Sequence, residues 1–310
     1  VWAMAMNCLK EGWKFMVEKN KMFQLFANLF MCILCVLCIL PFMLLFASSL
    51  TNERTLIQDG YRFFTTKIDF AAYKYIFVDT DSILRGYGVS VLVTVVGTVT
   101  NLVITTLFAY PLSMKELPGR RFLSFFLFFT MLFNGGLIPT YIMWTQFFKI
   151  KNTIWALLIP NLLMGAFYVI MLRTYFTSSI PGETIDAARI DGASEVRILG
   201  KIVLPMSKPI LSTLALFVGL NYWNDWVNGM YYINDDKYYS IQLLLNRMLL
   251  DTQFLMSNAN NKYGNIDTSQ LPSTGIKMAI AVMGVLPVLI IYPFLQKYLV
   301  KGITIGAVKG

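Results

Sequence analysis

Six long apolar segments constrain this 310-residue chain more than any other feature. They run approximately Phe23–Ser48, Tyr87–Leu112, Phe122–Phe147, Ile154–Leu172, Pro209–Trp226 and Met278–Leu295. Each approaches the length of about 20 residues that a helix needs to cross about 30 Å of hydrocarbon. Charged residues make up 14% of the chain, against about 25% in soluble domains. Lipid offers backbone N–H and C=O groups no partners, so each segment must satisfy its own as a helix. The expected fold class is an all-α integral membrane protein with six transmembrane helices. The first segment is too long and too internal for a cleaved leader, and is read as a span.

Lys and Arg placement predicts the orientation. With the N-terminus in the cytoplasm, 15 basic residues fall inside and 11 outside. Most of the outer ones lie on two long loops, about Leu50–Gly86 and Val227–Ile276, which weigh little in this rule. The short loop Ser113–Arg121 is distinctly basic. N-in, C-in is therefore expected. The formal charge of +9 is read as membrane topology, with no nucleic acid as partner.

What the spans lack excludes several chemistries. The chain has no His, the commonest general base and metal ligand. The apolar cores hold Asn28, Asn101, Asn134, Asn161 and Asn221, with Asp225 at an outer end, and almost no ionisable group. Proton- and ion-coupled carriers place such groups at membrane depth, so neither a secondary transporter nor a membrane enzyme is expected. Cys32, Cys35 and Cys38 recur every third residue in an apolar run, with Cys8 far upstream. Helical spacing of small hydrophobes accounts for them, and no disulfide framework or metal site is implied.

The most informative stretch is the loop between the fourth and fifth segments, Ser179 to Pro209. Pro181 and Glu183 suit the first turn of a helix. Ile185 and Ala188, then Ile190 and Ala193, are read as an apolar stripe. Gly192 interrupts the pattern, as a bend or close approach does. A second short helix is expected through Val196, Leu199, Ile202 and Val203, stopping at Leu204–Pro205. The expected result is a helix–bend–helix elbow with small residues Ala187, Ala188, Gly192 and Ala193 at its tip. Such an elbow suits either a docking lever or an interfacial loop with no partner.

The spacing Asp186-Ala187-Ala188-x3-Gly192-x9-Ile202-x-Leu204-Pro205 resembles the EAA loop of permease subunits of type I ABC importers, E-A-A-x3-G-x9-I-x-L-P. Asp186 stands in place of the leading Glu. Asn152–Pro160, Asn134–Tyr141 and the tail from Gln296 are similar to the maltose-type, carbohydrate-uptake branch, most of all to permeases for oligosaccharides and polysaccharide fragments. The resemblance implies a type I ABC importer permease fold in the bacterial cytoplasmic membrane. It divides the chain into an N-terminal segment (residues 1–22), a permease domain (23–300) containing the coupling loop (177–208), and a tail (301–310). It implies a homologous second permease subunit, two ATP-binding subunits, a solute-binding protein outside the cell, surrounding membrane lipid and a carbohydrate substrate. It assigns coupling to Ile185, Asp186, Ala187, Ala188, Gly192, Ala193, Ile202, Leu204 and Pro205. It implies no cofactor in this chain, ATP and Mg being bound by the partner ATPases. The chain itself has no G-x-x-x-x-G-K-[ST] phosphate loop. The same fold importing amino acids, peptides or phosphate, and a channel or structural subunit without an ATPase, are the alternatives.

Two segments are candidates for the substrate path. Asn134, Gly135 and Gly136, followed by Pro139, interrupt the third segment, and broken helices at membrane depth line cavities or pack as kinks. Asn221, Tyr222, Trp223, Asn224 and Asp225 combine aromatic rings with amides and a carboxylate. That set suits a sugar's faces and hydroxyls and equally an interfacial anchor.

Overall fold

A computed structural model describes residues 21–64, 67–261 and 273–307. The N-terminal cysteine and lysines and the last three residues lie outside that range. The described residues are helical, with one isolated bridge between Thr51 and Ile68. Two compact units are distinguished, Val1–Ala72 with Pro272–Ala279, and Tyr73–Leu271 with Ile280–Gly310.

In the first unit, α1 (Lys21–Ser49) is 29 residues long and spans about 44 Å. Its apolar stretch is not buried among the described residues, which suits a helix solvated by lipid or by another subunit. Cys32, Cys35 and Cys38 lie exposed on it as free thiols. The short α2 (Glu53–Asp59) opens with a buried Glu53. Its carboxylate accepts the backbone N–H groups of Thr274 and Gly275 at 2.9 and 2.8 Å. This caps the donors left free at the start of α15 (Ser273–Ala307).

In the second unit, α3 (Ala71–Ile76) leads through a 3-10 turn into α4 (Thr80–Ser113). The next elements are α5 (Arg120–Leu132), α6 (Leu137–Ile142), α7 (Trp155–Leu158) and α8 (Ala166–Ser179). The elbow comprises α9 (Gly182–Ile190), α10 (Glu195–Ile198) and α11 (Leu204–Met206), and α12 (Lys208–Asn224) follows. Beyond it lie α13 (Val227–Tyr232) and α14 (Ile241–Asn261). α4 packs closely against α12 because Gly97 presents no side chain. A Cβ there would sit 2.5 Å from Cε1 of the Tyr222 ring. One buried cluster gathers Ala109, Tyr110, Leu112, Val169, Leu172, Phe176, Ile198 and Val203 around the elbow. A second gathers Val93, Ala156, Leu157, Val218, Tyr222 and Tyr232 near the other end of α12.

Among the described residues, three helices (α1, α4 and α15) are long and apolar enough to cross a membrane, and up to five crossings result if each of two bent pairs counts as one. The pairs are α5 with α6 and its extension to Phe147, bent by 111°, and Glu195–Met206 with α12, bent by 82°. The expected fourth span, Ile154–Leu172, is not one helix. After α7 the chain leaves helical geometry at Pro160 and Asn161, the latter at φ 61°, and resumes at α8. The 14 residues of α8 rise only about 21 Å. The outer stretch read as a loop after Val227 contains the 21-residue α14. Its Leu243 and Leu245 are buried, while Asn246, Arg247 and Asp251 dilute its hydropathy.

Gly97→Ala is expected to destabilise the chain by about 1–3 kcal/mol, the usual cost of overpacking a filled contact. Thermal unfolding of the detergent-solubilised protein measures it.

Candidate functional site

The elbow forms where the spacing predicts it. α9 starts at Pro181, carries Glu183 in its first turn and Arg189 in its last. The chain then turns at Gly192, whose φ of 75° is strained for any residue with a Cβ. Ser194 precedes α10 as its N-cap residue. Ile185, Ala188, Ala193, Ile202 and Leu204 pack inward against the buried cluster of Tyr110, Phe176, Ile198 and Val203. Asp186, Ala187, Gly192 and Pro205 are exposed.

Ile190 departs from the expected stripe, and Val196 of the second helix is likewise bare. Ile190 and Val196 are 87% and 81% exposed. At about 100° per residue, Ile190 lies about 140° around α9 from Ile185, so the packed face cannot include it. The elbow thus presents two bare hydrophobes beside the exposed acids Glu183, Asp186 and Asp191. The second helix also does not stop at Leu204–Pro205. The backbone widens to a π-turn over Leu199–Val203 and continues to Met206. A widened turn accommodates Pro205, which lacks an N–H and crowds the carbonyl four residues back. The corner comes at Ser207 instead, and Pro209 then sits in the first turn of α12.

An ionic contact that the spacing did not reveal closes the elbow. Arg189 Nε donates to Glu195 Oε1 at 2.8 Å, and its Nη1 lies 3.4 Å from Asp186 Oδ1. The Tyr110 hydroxyl, at the end of α4, donates to Glu195 Oε2 at 2.6 Å. These hydrogen bonds, the tyrosine's first, hold the Glu195 carboxyl below the usual carboxylate range.

At the other end of α12, the non-helical stretch between α7 and α8 leaves backbone carbonyls without helical partners. Side chains meet three of them. Tyr222 Oη donates to the Leu158 carbonyl at 2.9 Å, Asn228 Nδ2 to Pro160 at 2.9 Å, and Asn101 Nδ2 to Leu162 at 2.6 Å. Asn101 Oδ1 in turn accepts from Thr105 at 3.1 Å.

The candidate path residues fall on different surfaces. Asn134, Gly135 and Gly136 are exposed in the bend between α5 and α6, where Asn134 Oδ1 accepts from the Gly136 N–H at 2.8 Å. On α12, Asn221 and Asn224 are exposed on one face, three residues apart. Asn221 Nδ2 donates to the hydroxyl of Tyr168 on α8 at 2.7 Å. Tyr222 and Trp223 are buried. Gly97 faces the Tyr222 ring, and Trp223 stacks on Tyr87 with centroids 6.3 Å apart and reaches the Gly284 carbonyl at 3.4 Å. Asp225, half-buried, accepts from the Asn228 N–H at 3.2 Å.

Described helices of membrane-crossing length and an elbow with two bare hydrophobes mark a membrane protein. The chain belongs to the family described as "Binding-protein-dependent transport system inner membrane component", whose model matches residues 82–305. It is 38% identical to Protein LplC of Bacillus subtilis (strain 168) over 271 residues, covering 87% of this chain and 89% of that protein. It is 36% identical to the polygalacturonan/rhamnogalacturonan transport system permease protein YtcP of the same organism, covering 94% of this chain and all of that one. Among solved structures, a chain of a bacterial ABC transporter that imports the acidic polysaccharide alginate matches with a TM-score of 0.74 and 29% identity, over 92% of this chain and 99% of that one.

Asn101→Leu is expected to cost about 1–3 kcal/mol, because it strips a buried carbonyl of its donor. The same unfolding measurement checks it, and Thr105→Val should cost less.

Proposed function

We propose that this chain is one of two permease subunits of an ATP-driven importer that carries an oligosaccharide or polysaccharide fragment by alternating access. In this reading it lies in the bacterial cytoplasmic membrane, crosses it six times and keeps both ends inside. The non-helical stretch with α8 then completes the crossing that α8 alone is too short to make.

The exposure of Ile190 and Val196 carries the coupling part of this reading. Bare hydrophobes on an exposed elbow fit a partially apolar groove of a partner. We assign that groove to an ATP-binding subunit, which also holds ATP and Mg. ATP shifts the permease between inward- and outward-open states only through its different affinity for the two. The chain must therefore translate closure of the ATPases into movement of the elbow.

For the substrate, the names of YtcP and of the alginate importer favour a polymer-derived glycan over amino acids, peptides or phosphate. The surface we assign to it is the exposed face of α12 with Asn221 and Asn224 and the neighbouring Tyr168. Amides and a phenol there can donate to and accept from hydroxyls without any charge. Tyr222, Trp223 and Asp225 hold that face in place.

Two experiments test this. Ile190→Asp with Val196→Asp should leave the permease in the membrane but cut co-purification of the ATPase subunits at least about tenfold, as hot-spot residues do. Undiminished co-purification refutes the docking role. Asn221→Ala with Asn224→Ala should lower uptake of pectic oligogalacturonides by cells at least about threefold, the effect of losing roughly one net hydrogen bond. Unchanged uptake removes these amides from the path.

A further inference from the structure

The elbow turns at Gly192, where nothing beyond the glycine's chain neighbours lies within 4 Å of where a Cβ would be. A bare glycine turn is a hinge, and a hinge absorbs a push. We propose that Glu195 is the positioning residue that converts this hinge into a rigid lever, by clamping α9 and the end of α4 to α10 with its two carboxylate oxygens. The proposal deepens the coupling role assigned above and rests on that reading.

The geometry is two-handed. Oε1 takes the Arg189 guanidinium from the last turn of α9, across the Gly192 bend, at 2.8 Å. Oε2 takes the Tyr110 hydroxyl, 85 residues earlier in the chain, at 2.6 Å. Arg189 is steadied from two further sides, by Asp186 at 3.4 Å and by Met114 Sδ at 3.7 Å from Nη2. An exposed ion pair alone would contribute little. Here one hand is a short, charge-assisted O–H···O⁻ bond, and its donor, Tyr110, is 5% exposed and held edge-on by Phe176 at 6.4 Å. The carboxylate is thus tied to a group that cannot follow a loose loop. Its place as the first residue of α10 also sets its charge at the positive end of that short helix.

The clamp separates docking from transmission. Ile190 and Val196 face outward and take no part in it, so breaking the clamp should leave docking intact while the lever goes slack. The test uses the complete importer purified with its ATPase subunits in nanodiscs. Spin labels are placed at Thr184→Cys on α9 and Arg121→Cys on α5, with the native cysteines replaced by Ser. Distances are recorded with ATP and vanadate, and no glycan is needed. With Glu195 intact, trapping should move one narrow distance population to another. Glu195→Gln and Tyr110→Phe should each retain ATPase subunits at the unaltered stoichiometry, broaden the trapped distribution about twofold, and lower vanadate-sensitive turnover about tenfold. The double variant should be no worse than the poorer single one, as for partners in one hydrogen-bond network. Glu195→Asp, which keeps the charge, should recover part of the narrow population.

A narrow shift in Glu195→Gln overturns the proposal, as does a silent Tyr110→Phe beside a broadened Glu195→Gln. Loss of ATPase subunits from either variant also overturns it, because Glu195 would then serve docking. Failure of the ATPase subunits to bind the parent chain at all sinks the coupling reading itself, and is seen before any substitution is made.

Discussion

A backbone carbonyl that leaves a helix inside hydrocarbon has no water to turn to, and its orphaning costs several kcal/mol. That constraint organises the second unit. The stretch between α7 and α8 abandons helical geometry at Pro160 and Asn161, and three side chains from α4, α12 and the segment beyond α12 answer its carbonyls. The break is therefore built into the packing. Tyr222 can reach Leu158 only because α4 offers Gly97 where a larger residue would meet its ring.

The elbow obeys the opposite demand. Its inner face is buried and its outer face carries two large hydrophobes that none of the described residues covers. In a monomeric soluble protein such exposure would be a liability. In the importer proposed above, it is the surface assigned to the ATP-binding subunit. The inward set of Ile185, Ala188, Ala193, Ile202 and Leu204 and the outward pair of Ile190 and Val196 divide one short loop between holding and docking.

Much of this was legible in the sequence, for physical reasons that differ by element. The bend at Gly192 follows from local rules alone, a helix start at Pro181 and a residue free to take positive φ. The long spans follow from hydropathy. The fourth span did not, because a hydropathy window registers Ile154–Leu172 as apolar and is blind to Pro160 and Asn161 breaking it. α14 escaped because Asn246, Arg247 and Asp251 follow its buried leucines and dilute the hydropathy. Ile190 was placed on the wrong face because a stripe was extended past the angle that 3.6 residues per turn allows. The Glu195–Tyr110 bond bridges 85 residues, and no local pattern announces a partner that far away. Asn101 stood out in the sequence as a polar residue in a span, but its role depends on a break elsewhere. Of the path candidates, Asn221 and Asn224 share an exposed face while Tyr222 and Trp223, between them, turn inward. Helical rotation separates what composition had grouped.

The two ends of the second unit are joined by the same two helices. α4 carries Tyr110 at the elbow and, about two and a half turns earlier, Asn101 on the Leu162 carbonyl. α12 starts at the Ser207 corner of the elbow and, over 17 residues, delivers Tyr222 to the Leu158 carbonyl and Asn221 to Tyr168. Close-packed helices move as rods because their interiors resist compression. A displacement of the elbow that carries both rods must therefore move the broken stretch between Leu158 and Leu162 together with the exposed amide face of α12. If only one rod were held, the two sets of hydrogen bonds would be pulled against each other, and buried carbonyls would lose their donors. In the proposed importer, the clamp on α4 and the elbow's own continuation into α12 tie both rods to one lever, so that the break moves without being undone.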